Sequence, residues 1–253
     1  MTGIDKIGSS NLYGQIASGS RINKASDDAA GLTISEKLKE ESNGLTQGAK
    51  NAKDGTSALD IADGALGSIN DSLQRIYEIS VKASNSIMYG PKELGAMQDE
   101  VKGLLDNIQS VAKGTEYNQM KLLDGSMADM ELATNPDGTG MKIKMQNSTL
   151  EALGIDGYDV TGKFDIKRIT DAIGKINGSR SSIGAATNAL EYTYQSNNYT
   201  SQNTTAAQSQ LADLDIAKAI SEQRKNEVLD SYQYMMQKKQ MEDEEKLAKG
   251  ILM

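Results

Sequence analysis

The sequence predicts a mainly α fold: an elongated helical bundle and coiled coil with a small β-hairpin region, its N- and C-termini paired in a helical arm. Three observations predict it. The 253 residues include two prolines, where ordinary usage of about 5% would give roughly a dozen, so the commonest helix breaker is nearly absent. One Phe, no Trp and a hydrophobic share of 38% leave material only for a thin core. At both ends of the chain, apolar residues recur at alternating three- and four-residue spacing, as in a narrow coiled-coil seam.

Residues 1–26 read as an N-terminal arm and spoke. The stretch "GSRINKASDDAAGL" (19–32), with Arg21 and Asn23 near its start, is polar and is expected not to bury itself. Ser26 is placed as the N-cap of the helix that follows, and Asp27 and Asp28 in its first turn, where the helix dipole favours negative charge. Residues 27–125 read as the N-terminal half of the bundle. Leu59, Ala62, Leu66, Ile69, Leu73, Ile76 and Ala83 form one stripe, broken by Ser80, so 56–86 reads as a helix of about 45 Å. Gly90-Pro91 ends it. Leu94, Met97, Val101, Leu104, Ile108 and Val111 then restart the spacing, which predicts an antiparallel helical hairpin.

Residues 126–164 read as a small β region capping one end of the bundle. Met130, Leu132, Met141, Ile143 and Met145 alternate with polar residues across "TNPDGTG" (134–140), whose Pro-Asp-Gly is a turn signal. Residues 165–210 carry a third stripe, Ile166, Ile169, Ile173, Ile176, Ile183, Leu190 and Tyr194, interrupted by Arg180 and Thr187. Three stripes suffice to enclose a thin core. The segment 195–210 is polar, and 211–253 reads as a C-terminal arm helix with Leu211, Leu214, Ala217, Ile220, Val228, Leu229, Tyr232, Met235 and Met236 at helical spacing. Beyond residues 4–16 it has no evident partner in its own chain, which suits a helix that docks on another protein. Glycines 44, 48, 55, 64 and 67 lie inside the helical pattern. Either the loss of up to about 1 kcal/mol each is offset by tertiary packing, or the backbones of neighbouring helices, within or between subunits, approach closely there.

Catalytic chemistry finds little support. The chain has no His and no Cys, which removes the commonest general base, the commonest zinc ligand and any disulfide. No nucleophile elbow, P-loop or dinucleotide fingerprint occurs. Asp27 and Asp28 are adjacent and point to different sides of a helix. Glu242, Asp243, Glu244 and Glu245 are interleaved with Lys238, Lys239, Lys246 and Lys249, which describes a solvated helix face better than a cation site. Asn147, Asn177, Asn198 and Asn203 head Asn-x-Ser/Thr triplets, a pattern frequent by chance in such a composition. The net charge of -8 without a basic cluster argues against nucleic acid. No cofactor or metal is implied, no run is long enough for a membrane helix, and residues 1–30 lack the apolar core of a cleaved signal.

The blocks "SRIN…DDAAG" and "DGALGSINDSLQRI" within residues 17–85 resemble the N-terminal conserved region of bacterial flagellins. "SRSSIGAATNALEYTYQS" and "LADLDIAKAISEQRKNEVL" resemble the C-terminal one. Junction proteins at the hook share part of this pattern but carry a proline after the acids, where this chain has Ala29-Ala30-Gly31. The resemblance implies a secreted, non-enzymatic structural subunit that polymerises into the extracellular flagellar filament for motility. It implies terminal segments in an inner tube, a surrounding helical wall and no outer variable domain. It also implies unfolded export through the flagellar type III apparatus, with an export chaperone and a filament cap as partners. The alternatives are a hook–filament junction or cap-associated protein, or a flagellin-derived secreted coiled coil that no longer polymerises. Members detected by Toll-like receptor 5 present a helix patch similar to "LQRIYEISV", which here matches Gln74, Arg75, Glu78 and Ile79, with Glu100 from the facing helix. Tyr77, Ser80 and Lys82 depart from that pattern. About 16 residues precede "ASGSRIN", and residues 236–250 are charged where the family carries small residues and Gln, so the inner-tube segment is expected to be altered or shortened.

Overall fold

The computed structural model describes residues 12–85 and 87–251, so residues 4–11 of the expected N-terminal arm lie outside the described residues. The chain divides into two units, one of residues 42–201 and the other of 1–41 with 202–253. In chain order the elements are α1 (12–18), α2 (Ala29–Ala83), α3 (Pro91–Gly114), β1 (Glu116–Tyr117), β2 (Met120–Lys121), β3 (Asp129–Ala133), β4 (Gly140–Lys144), α4 (Leu150–Leu153), α5 (Lys167–Ala212) and α6 (Ile216–Ile251).

The larger unit is built on the three expected stripes. Leu59, Leu66, Ile69, Leu73 and Ile76 of α2, Val101 and Ile108 of α3, and Ile169, Ile176 and Leu190 of α5 are fully buried in one core. Pro91 stands in the first turn of α3, with Gly90 as its extended N-cap, where a missing N–H costs no intrahelical bond. Arg75 meets Glu100 and Ser72 meets Asn107, so α2 and α3 run antiparallel. Against α5, Ser42 meets Ser201 and Asp63 meets Arg180. The two pairs are equally spaced along both helices, so these helices too run antiparallel without a register slip.

Several expectations need correction. Ser80 does not interrupt the seam: it is fully buried and hydrogen-bonded to Tyr158 Oη at 3.1 Å. Ile79 belongs to the core at 2% exposure. The polar segment 195–210 stays in the helix expected over 165–210, and α5 runs on to Ala212 because its hydroxyls and amides find partners. Ser201 joins Ser42 at 3.0 Å and Thr46 at 2.9 Å, and Asn197 Nδ2 donates to Thr134 O at 2.7 Å. Helix contact here is made by small polar side chains without an apolar anchor.

The expected hairpin is present. β3 and β4 pair antiparallel with Met130 opposite Ile143 and Leu132 opposite Met141, so the apolar residues share one face. It lies along the side of α2 and does not cap the bundle's end. Pro136 sits over Gly44, the Thr134 carbonyl over Gly48 and Leu132 over Gly55, each within the space a Cβ would take, whereas Gly64 and Gly67 have open space. Close approach does occur at Gly44, Gly48 and Gly55, but the β3–β4 hairpin makes it and not the backbone of a neighbouring helix as expected. A second, shorter hairpin, β1 with β2, falls where only helix was expected. Its turn places Asn118 and Gln119 at φ 47° and 65°, a pair of left-handed residues suited to a two-residue hairpin.

In the smaller unit, Tyr13 of α1 donates to Glu227 of α6 at 2.8 Å, so the described parts of the two arms meet. Ser20 bridges Asp213 as a single antiparallel pair. Arg21 N donates to Ala212 O at 2.7 Å and Leu214 N to Gly19 O at 3.0 Å. This short ladder occupies the break between α5 and α6. Asp215 caps α6 by accepting the Lys218 N–H at 3.0 Å.

Candidate assembly and recognition surfaces

The spoke is locally self-supporting. Ile22 is buried, so the stretch 19–32 does anchor itself. Arg21 reaches the Leu211 carbonyl at 2.6 Å and Asp28 at 4.0 Å. Asn23 Oδ1 accepts the Ser18 hydroxyl at 2.9 Å. The helix start also shifts. Asp28, not Ser26, is the N-cap: its Oδ1 accepts the Gly31 N–H at 2.8 Å, and α2 begins at Ala29. Asp27 folds back instead onto the N–H groups of Asn23 and Lys24 at 3.1 and 3.0 Å. Ser26 lies in that turn. An Asx side chain can cap only from the residue just outside the helix, and the helix starts two residues later than Ser26 requires.

The arm residues divide. Leu211 and Leu214 are half-buried beside the spoke, Leu211 at the end of α5 and Leu214 in the break. Ile220, Val228, Leu229, Tyr232, Met235 and Met236 are exposed on α6, Val228 at 66% and Tyr232 at 57%. Tyr234 and Met241 are exposed on α6 as well, so large apolar side chains recur in solvent along the length of the helix.

The receptor-type patch is a compact charged surface. Gln74, Arg75, Glu78 and Glu100 are exposed. Arg75 Nε donates to Glu100 at 2.7 Å and its Nη1 to Glu78 at 3.0 Å. The Glu100 carboxylate above all, then Glu78, pushes the Arg75 guanidinium above its already high ordinary value. Ile79, grouped with these residues on sequence, is buried and forms no part of their surface. A period-3.6 face turns it inward beside Ile76.

A recurring device in the β region escaped sequence reasoning. Asp124, Asp137, Asn147 and Asp159 each accept both the N–H and the hydroxyl of a Ser or Thr two residues on, between 2.6 and 3.0 Å. These are Asx turns, and the Asp/Asn-x-Ser/Thr spacing was their signal. The Asn147 triplet thus has a structural use. The turn bonds, led by the partner hydroxyl at Asp124 and Asp137 and by the Thr161 N–H at Asp159, hold the three Asp carboxyls below their ordinary range.

Among the described residues, no group of three or more Asp or Glu is disposed to hold a metal ion. No helix among them is long and apolar enough to cross a membrane.

Residues 5–128 match the family model of the bacterial flagellin N-terminal helical region, and residues 166–243 that of the C-terminal helical region. The chain is similar to the flagellin of Bacillus subtilis (strain 168), 32% identical over 269 residues, covering 89% of this chain and 88% of that protein. It is also similar to the flagellar filament 33 kDa core protein of Treponema phagedenis, 34% identical over 251 residues, covering 88% and 87%. The crystal structure of Bacillus cereus flagellin superposes with a TM-score of 0.52 at 25% identity, over 58% of this chain and 88% of that one. A hook-associated protein structure from Vibrio parahaemolyticus, with a TM-score of 0.61 at 15% identity over 74% of this chain and 100% of that one, shares the fold.

Proposed function

This chain belongs to the bacterial flagellin family, and from that premise we propose how its own surfaces serve the filament it builds. A flagellin is a structural subunit that polymerises into the flagellar filament, outside the cell, for motility. Its joining segments here are the spoke, with Arg21, Asn23 and Asp28, and the arm helix, with Ile220, Val228, Leu229, Tyr232, Met235 and Met236. The observation that carries this reading is the row of large apolar side chains exposed along α6 among the described residues, which favours burial against further subunits. Export would run unfolded through the type III apparatus with a chaperone, and growth would proceed beneath a filament cap.

Electron microscopy tests it. The full chain should grow filaments when seeded, and a chain ending at Asp215 should not. That cut leaves the Ser20–Asp213 bridge in place. A full chain that stays monomeric under seeding would fit a junction or cap-associated role instead.

The exposed group Gln74, Arg75, Glu78 and Glu100 supports a second reading, recognition by Toll-like receptor 5. Arg75→Ala should abolish reporter signalling from an otherwise active chain, and unchanged signalling would sink the idea. Ile79→Ala is unsuitable as a test, because its effect would pass through the core.

A further inference from the structure

The larger unit carries a second, separate apolar complementarity. At the tip of the α2–α3 connection, Ile87 is 96% exposed and Met88 70%, an apolar pair on a turn that no described residue covers. Elsewhere on the same unit an open groove of about 360 Å³ runs between α2 and the two hairpins, lined by Gly55, Ala58, Tyr117, Met120, Met127 and Leu132. Its methionines can adapt to an irregular knob.

The charges match. Asp54, Asp129 and Glu131 also line the groove, and Lys142 answers only the last two. Lys82 and Lys92 flank the Ile87–Met88 turn, are exposed, and make no ion pair among the described residues. Beside them only Glu93 is acidic within the first turn of α3. Gly55 and Ala83 are separated by about 42 Å along one helix at 1.5 Å per residue, so the knob cannot enter the groove of its own chain. A knob and a groove at different places on one unit join copies head to tail, and such a contact propagates without closing.

We propose that the Ile87–Met88 turn of one subunit seats in the Met120–Met127 groove of the next, with Lys82 and Lys92 facing its acidic rim. This rests on the filament reading but is independent of the α6 surface.

The chain has no cysteine, so engineered thiols report this contact alone. Chains bearing Ile87→Cys and chains bearing Met120→Cys would be mixed, polymerised and oxidised. Disulfide-linked dimers should form at least tenfold more in the mixture than with either variant alone, and only in filaments, because the bond needs Cα atoms about 4.4–6.8 Å apart. Filaments whose mixture cross-links no more than the single variants would overturn the proposal and leave the filament reading intact. A wild-type chain that forms no filaments would overturn the filament reading instead. Should the cysteines block assembly, charge reversal reads the same contact. Asp54→Lys should raise the critical concentration about tenfold, near 1.4 kcal/mol per contact. Adding Lys82→Glu and Lys92→Glu should restore it. An unchanged critical concentration in both variants would refute the contact.

Discussion

Arg180 of α5 grips Asp63 of α2 with both arms of its guanidinium, Nε to Oδ1 at 2.8 Å and Nη2 to Oδ2 at 3.1 Å. The residue that interrupts the third apolar stripe is thus its cross-link to the first. The Arg180 hydrogen bond, opposed by burial, draws the Asp63 carboxyl below its ordinary 3.8. The stabilisation is complete above that value and is lost as pH falls through the lower folded value. Both side chains are about 40% exposed, so solvent screening keeps the contribution to about 0.5–1 kcal/mol. Thermal melts from pH 5 to pH 2 should show Asp63→Asn with a shallower acid loss than wild type. Arg180→Lys, which keeps the charge and loses the fork, should lower the melting temperature at neutral pH.

Gly48→Ala should destabilise the isolated chain by about 1–3 kcal/mol, because the new methyl meets the Thr134 backbone carbonyl and neither can yield cheaply. Gly64→Ala meets open space and should stabilise by about 0.5–1 kcal/mol through helix propensity. Denaturant titration of the two variants checks the sign of each.

Asp28→Ala should cost about 1 kcal/mol by uncapping α2, whereas Ser26→Ala should stay within about 0.5 kcal/mol. Equal losses from the two would contradict the Gly31–Asp28 cap. Circular dichroism melts of the monomer provide the comparison.

Tyr158 hangs by its hydroxyl on Ser80, while Gln98 bonds its carbonyl at 3.1 Å and the Val160 N–H at 2.7 Å. Burial chiefly raises the phenol above its ordinary 10.0. A raised acid favours the neutral form in the folded state, so its stabilisation is complete below pH 10 and declines as pH rises beyond it. Tyr158→Phe should cost about 1 kcal/mol at neutral pH and remove part of that alkaline loss, read by melting at pH 9 to 11.

Much of this was legible in the chain because periodicity reports burial. The stripes through Leu66, Ile69 and Leu73, and through Ile169, Ile176 and Leu190, are the core. The alternation Met130, Leu132 against Met141, Ile143 is the hairpin's register. What misled was residue type at places where a partner decides. Ser80 looked like a defect until Tyr158 supplied its bond. Asn118-Gln119 lacks the glycine that advertises a tight hairpin turn, so β1 and β2 went unread. In the candidate surface, Gln74, Arg75 and Glu78 lie off the apolar stripe and were legible as exposed, whereas Ile79 lies off it too and was not legible as buried.

The sequence by itself determined the long helices, the β3–β4 hairpin, the absence of His and Cys chemistry, and the family to which the chain belongs. Those follow from composition, spacing and local turn residues, which act within a few residues of themselves. Only the tertiary structure decided that Asp28 and not Ser26 caps α2, that Gly44, Gly48 and Gly55 admit the hairpin while Gly64 and Gly67 admit nothing, and that Arg180 reaches Asp63. Each depends on atoms brought together from distant parts of the chain, and no local pattern encodes which distant group will arrive to satisfy a polar atom or fill the space a missing Cβ leaves.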